Sequence, residues 1–345
     1  MAIRIKENKT TKIYQRPELI CPAGTPASMR TAIEAGADAV YCGFQNATNA
    51  RNFPGLNFTP DEMQKSVLHA HENDTKVLLA VNTNPPAGKA QLWKDAVDLG
   101  AKFAVDAFIV ADIGLANYIA TNHPNIRLHL SVQAAASTPE ALNYYCQQFG
   151  VKRVVLPRIL TIAEIKDIKQ QIDCEIETFV FGNHGLMVEG RCSLTNYITG
   201  LSTNMDGVCS PANQVNYEQD EQQNLSTQLG GFTIDCFGRD ESAGYPTICK
   251  GRYHAPTRDE GYYAFEEPLS LNLGNLLPDL MEAGVSALKI EGRQRSRSYV
   301  KKVVTSFRTA VDNIMQGDEP DIASLIALTE GHKQTEGAFK SKKWR

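Results

Sequence analysis

No run of apolar residues in this chain approaches the roughly 20 needed to cross a bilayer as a helix, which excludes a helical membrane span. Charge of neither sign is in large excess. The sequence has 35 Lys and Arg against 39 Asp and Glu, a formal net charge of −4. It therefore offers no global electrostatic case for a nucleic-acid or membrane-surface binder. Eight cysteines in 345 residues are too few for a disulfide scaffold, and no signal peptide precedes them. The expected compartment is a reducing cytoplasm. Hydrolytic signatures are missing too: there is no H-E-x-x-H, no G-x-S-x-G and no cysteine beside an obvious histidine motif. No two cysteines form a C-x-x-C knuckle, which argues against a structural zinc ribbon. Internal repeats and low-complexity blocks are absent.

What is present is an ordinary globular composition, 42% hydrophobic and 21% charged. The length suits one large α/β barrel or two smaller domains. Short β-branched runs alternate with amphipathic stretches. The predicted strands are 18–21, 38–43, 76–82, 106–111, 127–132, 153–156, 175–181 and 287–290. Thr59-Pro60-Asp61-Glu62 carries the cap and first-turn proline that open a helix. Eight βα units in order predict a TIM-type (β/α)8 barrel with a cysteine-bearing insertion between strands seven and eight. A doubly wound open sheet is the alternative. Residues 1–16 read as a solvated, disordered basic lead and 17–181 as the first seven βα units. The insertion is 182–284, and 285–345 hold the last strand, a helix and a tail.

Chemistry in such a barrel gathers where the βα loops converge, at the C-terminal strand ends. Cys21, Cys42, Asn82, Gln133, Arg158 and the K-I-E-G-R-Q-R-S segment fall there. Glu291, Arg293 and Arg295 directly follow the last strand, and guanidinium forks bind carboxylates or phosphates bidentately. An Arg–Glu network that merely closes the barrel is the competing reading. Asn49 and Arg51 lie in the long second βα loop, the kind of connection that is often functional. Arg51, Arg158, Arg293 and Arg295, with Glu291, are the candidate set for an anionic substrate or donor. Cys192, Cys209 and Cys249 sit beside Gly, Pro, Arg and Lys rather than in apolar runs. Such settings stabilise thiolates or a cluster's anionic sulfurs. Two readings stand, a soft-metal site and three unrelated loop thiols. Lys250 and Arg252 belong either beside that site or on a solvated hairpin, and His184 is the one histidine near the thiols.

Several stretches carry a resemblance: ELICPAG, GADAVYCG, TNARNFPGLNF, SVQAAA, VVLPR, EGRCSL, CSPA, AGYPTICKGRY, KIEGRQRS and the terminal KKWR. From Glu18 to Arg345 the chain resembles the collagenase-like, "unassigned" peptidase family, and within it the UbiU-like branch of oxygen-independent ubiquinone synthesis. The resemblance implies a hydroxylase subunit rather than a peptidase, with RNA-base hydroxylation as the alternative within the family. It implies a [4Fe–4S] cluster, a UbiV-like partner in a heterodimer, a UbiT-like lipid carrier, a quinone precursor as substrate and prephenate as hydroxyl donor. No nucleic-acid partner is expected. By position Cys192, Cys209 and Cys249 match three of the family's four cluster cysteines, whereas Gly185 stands where the fourth belongs. Cys42, at what reads as a mouth-facing strand end, is the first candidate to replace it. His184 is the second, loss of the cluster the third, and Cys21 and Cys236 are weaker spares. A silent scaffold remains a further reading.

Overall fold

Threonine, serine and aspartate caps punctuate the chain and separate its helices from its strands. Thr25, Thr59 and Thr161 each accept a backbone N–H three residues on, and Ser28, Glu62 and Glu164 reach back to complete capping boxes. Asp112, Thr138 and Ser296 cap in the simpler way. The computed structural model describes residues 15–185, 187, 192–203, 209–258, 260–329 and 333–342. Positions 1–14 of the basic lead, the E-G-R of E-G-R-C and the last three residues of K-K-W-R lie outside the described residues. Arg16, at the end of that lead, reaches Asp312 at 2.8 Å.

Seven strands alternate with helices: β1 Glu18–Pro22, α1 Pro26–Glu34, β2 Ala39–Cys42, α2 Pro60–His71, β3 Lys76–Val81, α3 Gln91–Lys102, β4 Ala107–Val110, α4 Ile113–Asn122, β5 Arg127–Leu130, α5 Pro139–Phe149, β6 Arg153–Val155, α6 Ile162–Lys169 and β7 Glu175–Asn183. The 182–284 segment then adds α7 Ser193–Thr199, an antiparallel sheet of β8 Val215–Gln219, β9 Leu225–Leu229 and β10 Phe232–Phe237, and a hairpin of β11 Arg252–Tyr253 and β12 Tyr262–Tyr263. Its end returns to the barrel. There β13 Ser270–Asn272 pairs antiparallel with the end of β7, and α8 Leu277–Glu282 buries Leu277 and Leu280 in the core. Next come β14 Ala287–Ile290, the long α9 Arg297–Gln316 and β15 Gln334–Thr335, which lies parallel to β13.

β14 pairs in parallel with both β7 and β1, so eight parallel strands close on themselves. The barrel prediction holds, and the open doubly wound sheet is excluded. Strand faces alternate. Leu19, Cys21, Val40, Cys42, Leu79, Val81 and Leu288 point outward into the layer shared with the helices. Ile20, Ala39, Tyr41, Leu78, Ala80, Ala107, Ile109 and Ala287 fill the inside.

That interior leaves room for charge, because so many of its residues are alanine. Lys289 on β14 pairs with Glu177 on β7 at 2.5 Å, and Arg153 on β6 reaches Glu177 at 3.5 Å and Glu18 at 2.6 Å. Lys289 also lies 4.3 Å from the centre of the Tyr41 ring, a cation–π contact. Burial pulls the Lys289 ammonium down, and Glu177 opposes it. Buried His129 on β5 is also pulled well down, by desolvation first and by Arg153 next, and so stays neutral. Removing one partner of a buried pair leaves an uncompensated charge, at a cost of about 3–5 kcal/mol. Glu177→Leu is therefore expected to destabilise the fold by about that amount in urea titrations, whereas Lys289→Met with Glu177→Leu together recovers part of the loss.

Candidate functional site

The C-terminal end of the barrel holds the polar residues that the strand ends predicted, gathered around one carboxylate. Arg158, after β6, meets Glu291 Oε2 at 2.8 Å, and Arg51, from the second βα loop, meets Oε1 at 3.4 Å. Arg293 donates to Asn49 Oδ1 at 2.8 Å. Arg295 lies exposed at the rim, near enough to Glu291 to help hold it ionised. Burial works to raise the Glu291 carboxyl, but Arg158 and Arg51 outweigh it and keep the group below its usual range. Burial brings the Arg293 guanidinium down to about 10, still charged at neutral pH. The Arg158 guanidinium stacks 3.7 Å from the centre of the Phe179 ring, which fixes its plane.

Loop chemistry explains how Arg51 arrives there. Asn49 donates to Asn57 Oδ1 at 2.8 Å and accepts from the Arg51 backbone N–H at 3.0 Å. Asn82, at the end of β3, accepts from the Ala50 N–H at 3.1 Å. Asn57, in the left-handed region at φ 75°, donates from its own N–H to the Gly24 carbonyl at 2.7 Å. Gly182 is required on the opposite side. Its φ is +128°, and a Cβ there would lie 2.6 Å from Glu291 Cβ. Only glycine lets β7 approach the carboxylate so closely.

These residues line a cleft of about 90 Å³ walled by Tyr41, Phe179 and Gln133 and floored by Lys289. Four guanidiniums, Arg51, Arg158, Arg293 and Arg295, lie around one carboxylate, Glu291, so positive charge outnumbers negative at the cleft. Lys289 and Tyr41 were not singled out from the sequence. Their signal was present in the strand alternation, because Ile290 must face the helices and Lys289 therefore faces in.

One of the three loop cysteines, Cys209, lies within electrostatic reach of this cleft's Arg51 and Glu291. Cys192, just before α7, is buried and accepts from the Thr195 hydroxyl at 3.3 Å. Cys209 is exposed at the surface, yet desolvation by its surroundings still raises its thiol. Arg51 opposes that rise, Cys192 and Glu291 add to it, and Lys250 opposes it again. Burial, then Cys209, with Cys192 adding less, pushes the Cys249 thiol up to about 11 while Lys250 pulls the other way. Cys209 and Cys249 thus lie within electrostatic reach of each other, of Cys192 and of Lys250, and Cys209 is also within reach of Arg51. Among the described residues no three such side chains are already close enough to hold a metal ion. A thiolate donor set with two cations beside it fits an anionic iron–sulfur cluster in chemistry.

Other expectations resolve differently. Cys42 does not face the mouth. It is fully buried in the helix layer, with its Sγ 3.6 Å from Met63 Sδ, and burial pushes its thiol up to about 12. Its neighbour Tyr41 takes the inward position, so strand alternation turns Cys42 away. Cys21 is likewise outward and buried. Cys236 is exposed on β10. His184 is buried, with its ring against Gly337. Burial first, then Arg158 and Lys250, bring it down to about 4, which keeps it neutral. Among the described residues a Cβ built on Gly185 meets nothing within 4 Å. Lys250 is buried, donating to Asn183 at 3.1 Å and to the Leu269 carbonyl at 3.0 Å, which excludes the solvated-hairpin reading. Arg252 instead serves the insertion, bound to Asp235 at 2.6 Å and Glu241 at 3.0 Å.

Residues 24–343 match the model of peptidase family U32. The tRNA hydroxylation protein P of Escherichia coli K12 is 32% identical over 340 residues, covering 92% of this chain and 72% of that protein. The 23S rRNA 5-hydroxycytidine C2501 synthase of the same organism is 29% identical, over 87% of this chain and 40% of its own length. A collagenase of Porphyromonas gingivalis W83 is 27% identical over 87% of this chain and 66% of its own length.

With no metal bound, the exposed Cys209 is expected to alkylate at pH 8 before the buried Cys192 and Cys249. Cys249, whose thiol sits at about 11, should react slowly there and accelerate as pH rises toward that value. Iodoacetamide labelling followed by peptide mass spectrometry across pH 7–10.5 checks this order.

Proposed function

The chain belongs to peptidase family U32, and we propose that it is a subunit of an oxygen-independent hydroxylase rather than a peptidase. The observation that carries the reading is the meeting of two features at one barrel mouth. A cleft with four guanidiniums lies there, and Cys209, itself within electrostatic reach of Cys192 and Cys249, is coupled to that cleft through Arg51 and Glu291. Relatives named for tRNA and rRNA hydroxylation support the reaction class.

Cys192, Cys209 and Cys249 are the residues that would hold a [4Fe–4S] cluster, with Gly185 leaving the fourth position to a non-thiolate ligand such as the neutral His184. Such a cluster supplies one-electron chemistry or an iron open to an oxygen ligand. Arg51, Arg158, Arg293 and Arg295 bind the acidic groups of a small dicarboxylate, prephenate in the reading drawn from the family. Glu291 fixes the spacing of Arg51 and Arg158 and so sets which anion fits. Lys289 adds positive charge at the floor, and Tyr41 and Phe179 give flat walls for a ring.

For the substrate we favour a quinone precursor, with a UbiV-like partner and a UbiT-like carrier. The motifs quoted above and the net charge of −4 support this, since RNA binding draws on a basic face. RNA-base hydroxylation is the second reading, supported by the names of the relatives. An anaerobically grown bacterium lacking its own copy separates the two. Expressing this chain with its partner should restore quinone and leave hydroxylated tRNA and rRNA bases unchanged by mass spectrometry. Arg158→Gln should lower quinone recovery at least about tenfold, since losing a hydrogen bond to a charged group costs about 1.5–3 kcal/mol. Restored base hydroxylation without quinone would overturn the preferred substrate, and restoration of neither would overturn the hydroxylase reading.

A further inference from the structure

Beneath the guanidiniums, the cleft ends on a primary amine. Lys289 lines the cleft from β14, yet its side chain is only 5% exposed. An ammonium carries three donors. Among the described residues Lys289 has one hydrogen-bond partner, Glu177 Oε1 at 2.5 Å. Aromatic faces make up much of the rest of its surroundings: Nζ lies 4.3 Å from the centre of the Tyr41 ring and 5.8 Å from that of Phe179. The Tyr41 hydroxyl donates to the Ile290 carbonyl at 2.9 Å, which fixes its ring. Arg293 places its guanidinium carbon 5.3 Å from the centre of that same ring. An amine and a carboxylate-binding fork thus share one aromatic wall. Burial, with Arg293 and Arg153 adding to it, brings the Lys289 ammonium below its usual range against the pull of Glu177. That is the direction that yields an amine nucleophile, and desolvation beside other cations is how buried lysines reach it.

We propose that Lys289 is a nucleophile that forms an imine with the carbonyl carbon of a small keto acid whose carboxylate rests on Arg293. The inference rests on the anion-binding part of the reading above and needs neither the cluster nor hydroxylation. Glu177 Oε1, already in contact with Nζ, takes one proton from the ammonium. The amine nitrogen attacks the carbonyl carbon, so a C–N bond forms as the C=O double bond opens. The nitrogen sheds a second proton, both protons end on the departing oxygen, and water leaves as the C=N bond forms. The product is a protonated imine with the charge the ammonium had, so Glu177 keeps a cationic partner. Nothing is oxidised or reduced in this step. A protonated imine draws electrons from the neighbouring carbons, which is the chemistry such lysines supply to carbonyl substrates.

The test uses the full chain, purified without oxygen, mixed with α-ketoglutarate and reduced with sodium borohydride, which converts an imine to a stable secondary amine. Peptide mapping by mass spectrometry should find the adduct on Lys289 more heavily than on any surface lysine. Excess glutarate, which has the acid groups but no keto group, should suppress it. Lys289→Met combined with Glu177→Leu removes the buried pair as a unit and should abolish the adduct, and the map of the wild-type chain stands even if that variant folds poorly. Thermal unfolding with glutarate separates this inference from the one beneath it. A stabilising shift without a Lys289 adduct would overturn the imine and leave the anion-binding cleft standing, whereas neither shift nor adduct would overturn both. Adducts confined to exposed lysines, or a Lys289 adduct that glutarate does not suppress, would also overturn the proposal.

Discussion

The arrangement of the barrel mouth depends on one carboxylate held among several guanidiniums. Glu291 bridges Arg158, from the end of β6, to Arg51, from the loop after β2, and so ties together loops far apart in sequence. Without it the two guanidiniums would repel across a cleft with little water to screen them. The tie in turn requires Gly182, which gives β7 the close approach, and the Asn49–Asn57 pair, which shapes the loop that delivers Arg51. One residue thus sets the geometry of the site through groups drawn from four parts of the chain.

Beneath the mouth, charge continues into the barrel through Lys289, Glu177, Arg153 and Glu18. A barrel interior usually fills with branched apolar residues. Here alanines at positions 39, 80, 107 and 287 leave space for an ion-pair chain. The region beneath the cleft therefore holds balanced ion pairs rather than apolar side chains alone. Of the thiols, Cys209 lies within reach of the cleft's Arg51, and Lys250 lies within reach of Cys209 and Cys249, where the two cations would offset negative charge on the sulfurs.

Much of this was legible in the sequence, because it depends on local rules. Short β-branched runs alternating with amphipathic stretches, with the Thr59 cap, located the eight βα units, and strand ends located Arg158, Glu291 and Arg293. Other features required the fold. The polar, exposed β8 and the mixed burial of β9 and β10 gave no regular apolar alternation to read. Cys42 was assigned to the mouth from its place at a strand end, yet Tyr41 beside it occupies the inward face and sends Cys42 against Met63. Lys289 was overlooked for the opposite reason, since its position two residues before Glu291 puts both on one face. The burial of Lys250 and its bonds to Asn183 and Leu269 come from residues 19 to 67 positions away, beyond any local pattern.

In the proposed function Cys192, Cys209 and Cys249 hold an iron–sulfur cluster near the guanidinium-lined mouth despite the glycine at 185. Iron and acid-labile sulfide per chain, with an electron paramagnetic resonance spectrum after reduction, test it directly on protein purified without oxygen alongside its partner. The account predicts about four irons and four sulfides per chain and a reduced-cluster signal, both lost when Cys192, Cys209 and Cys249 are replaced together by serine. A chain that binds no iron under those conditions, or whose iron survives that triple replacement, would contradict it.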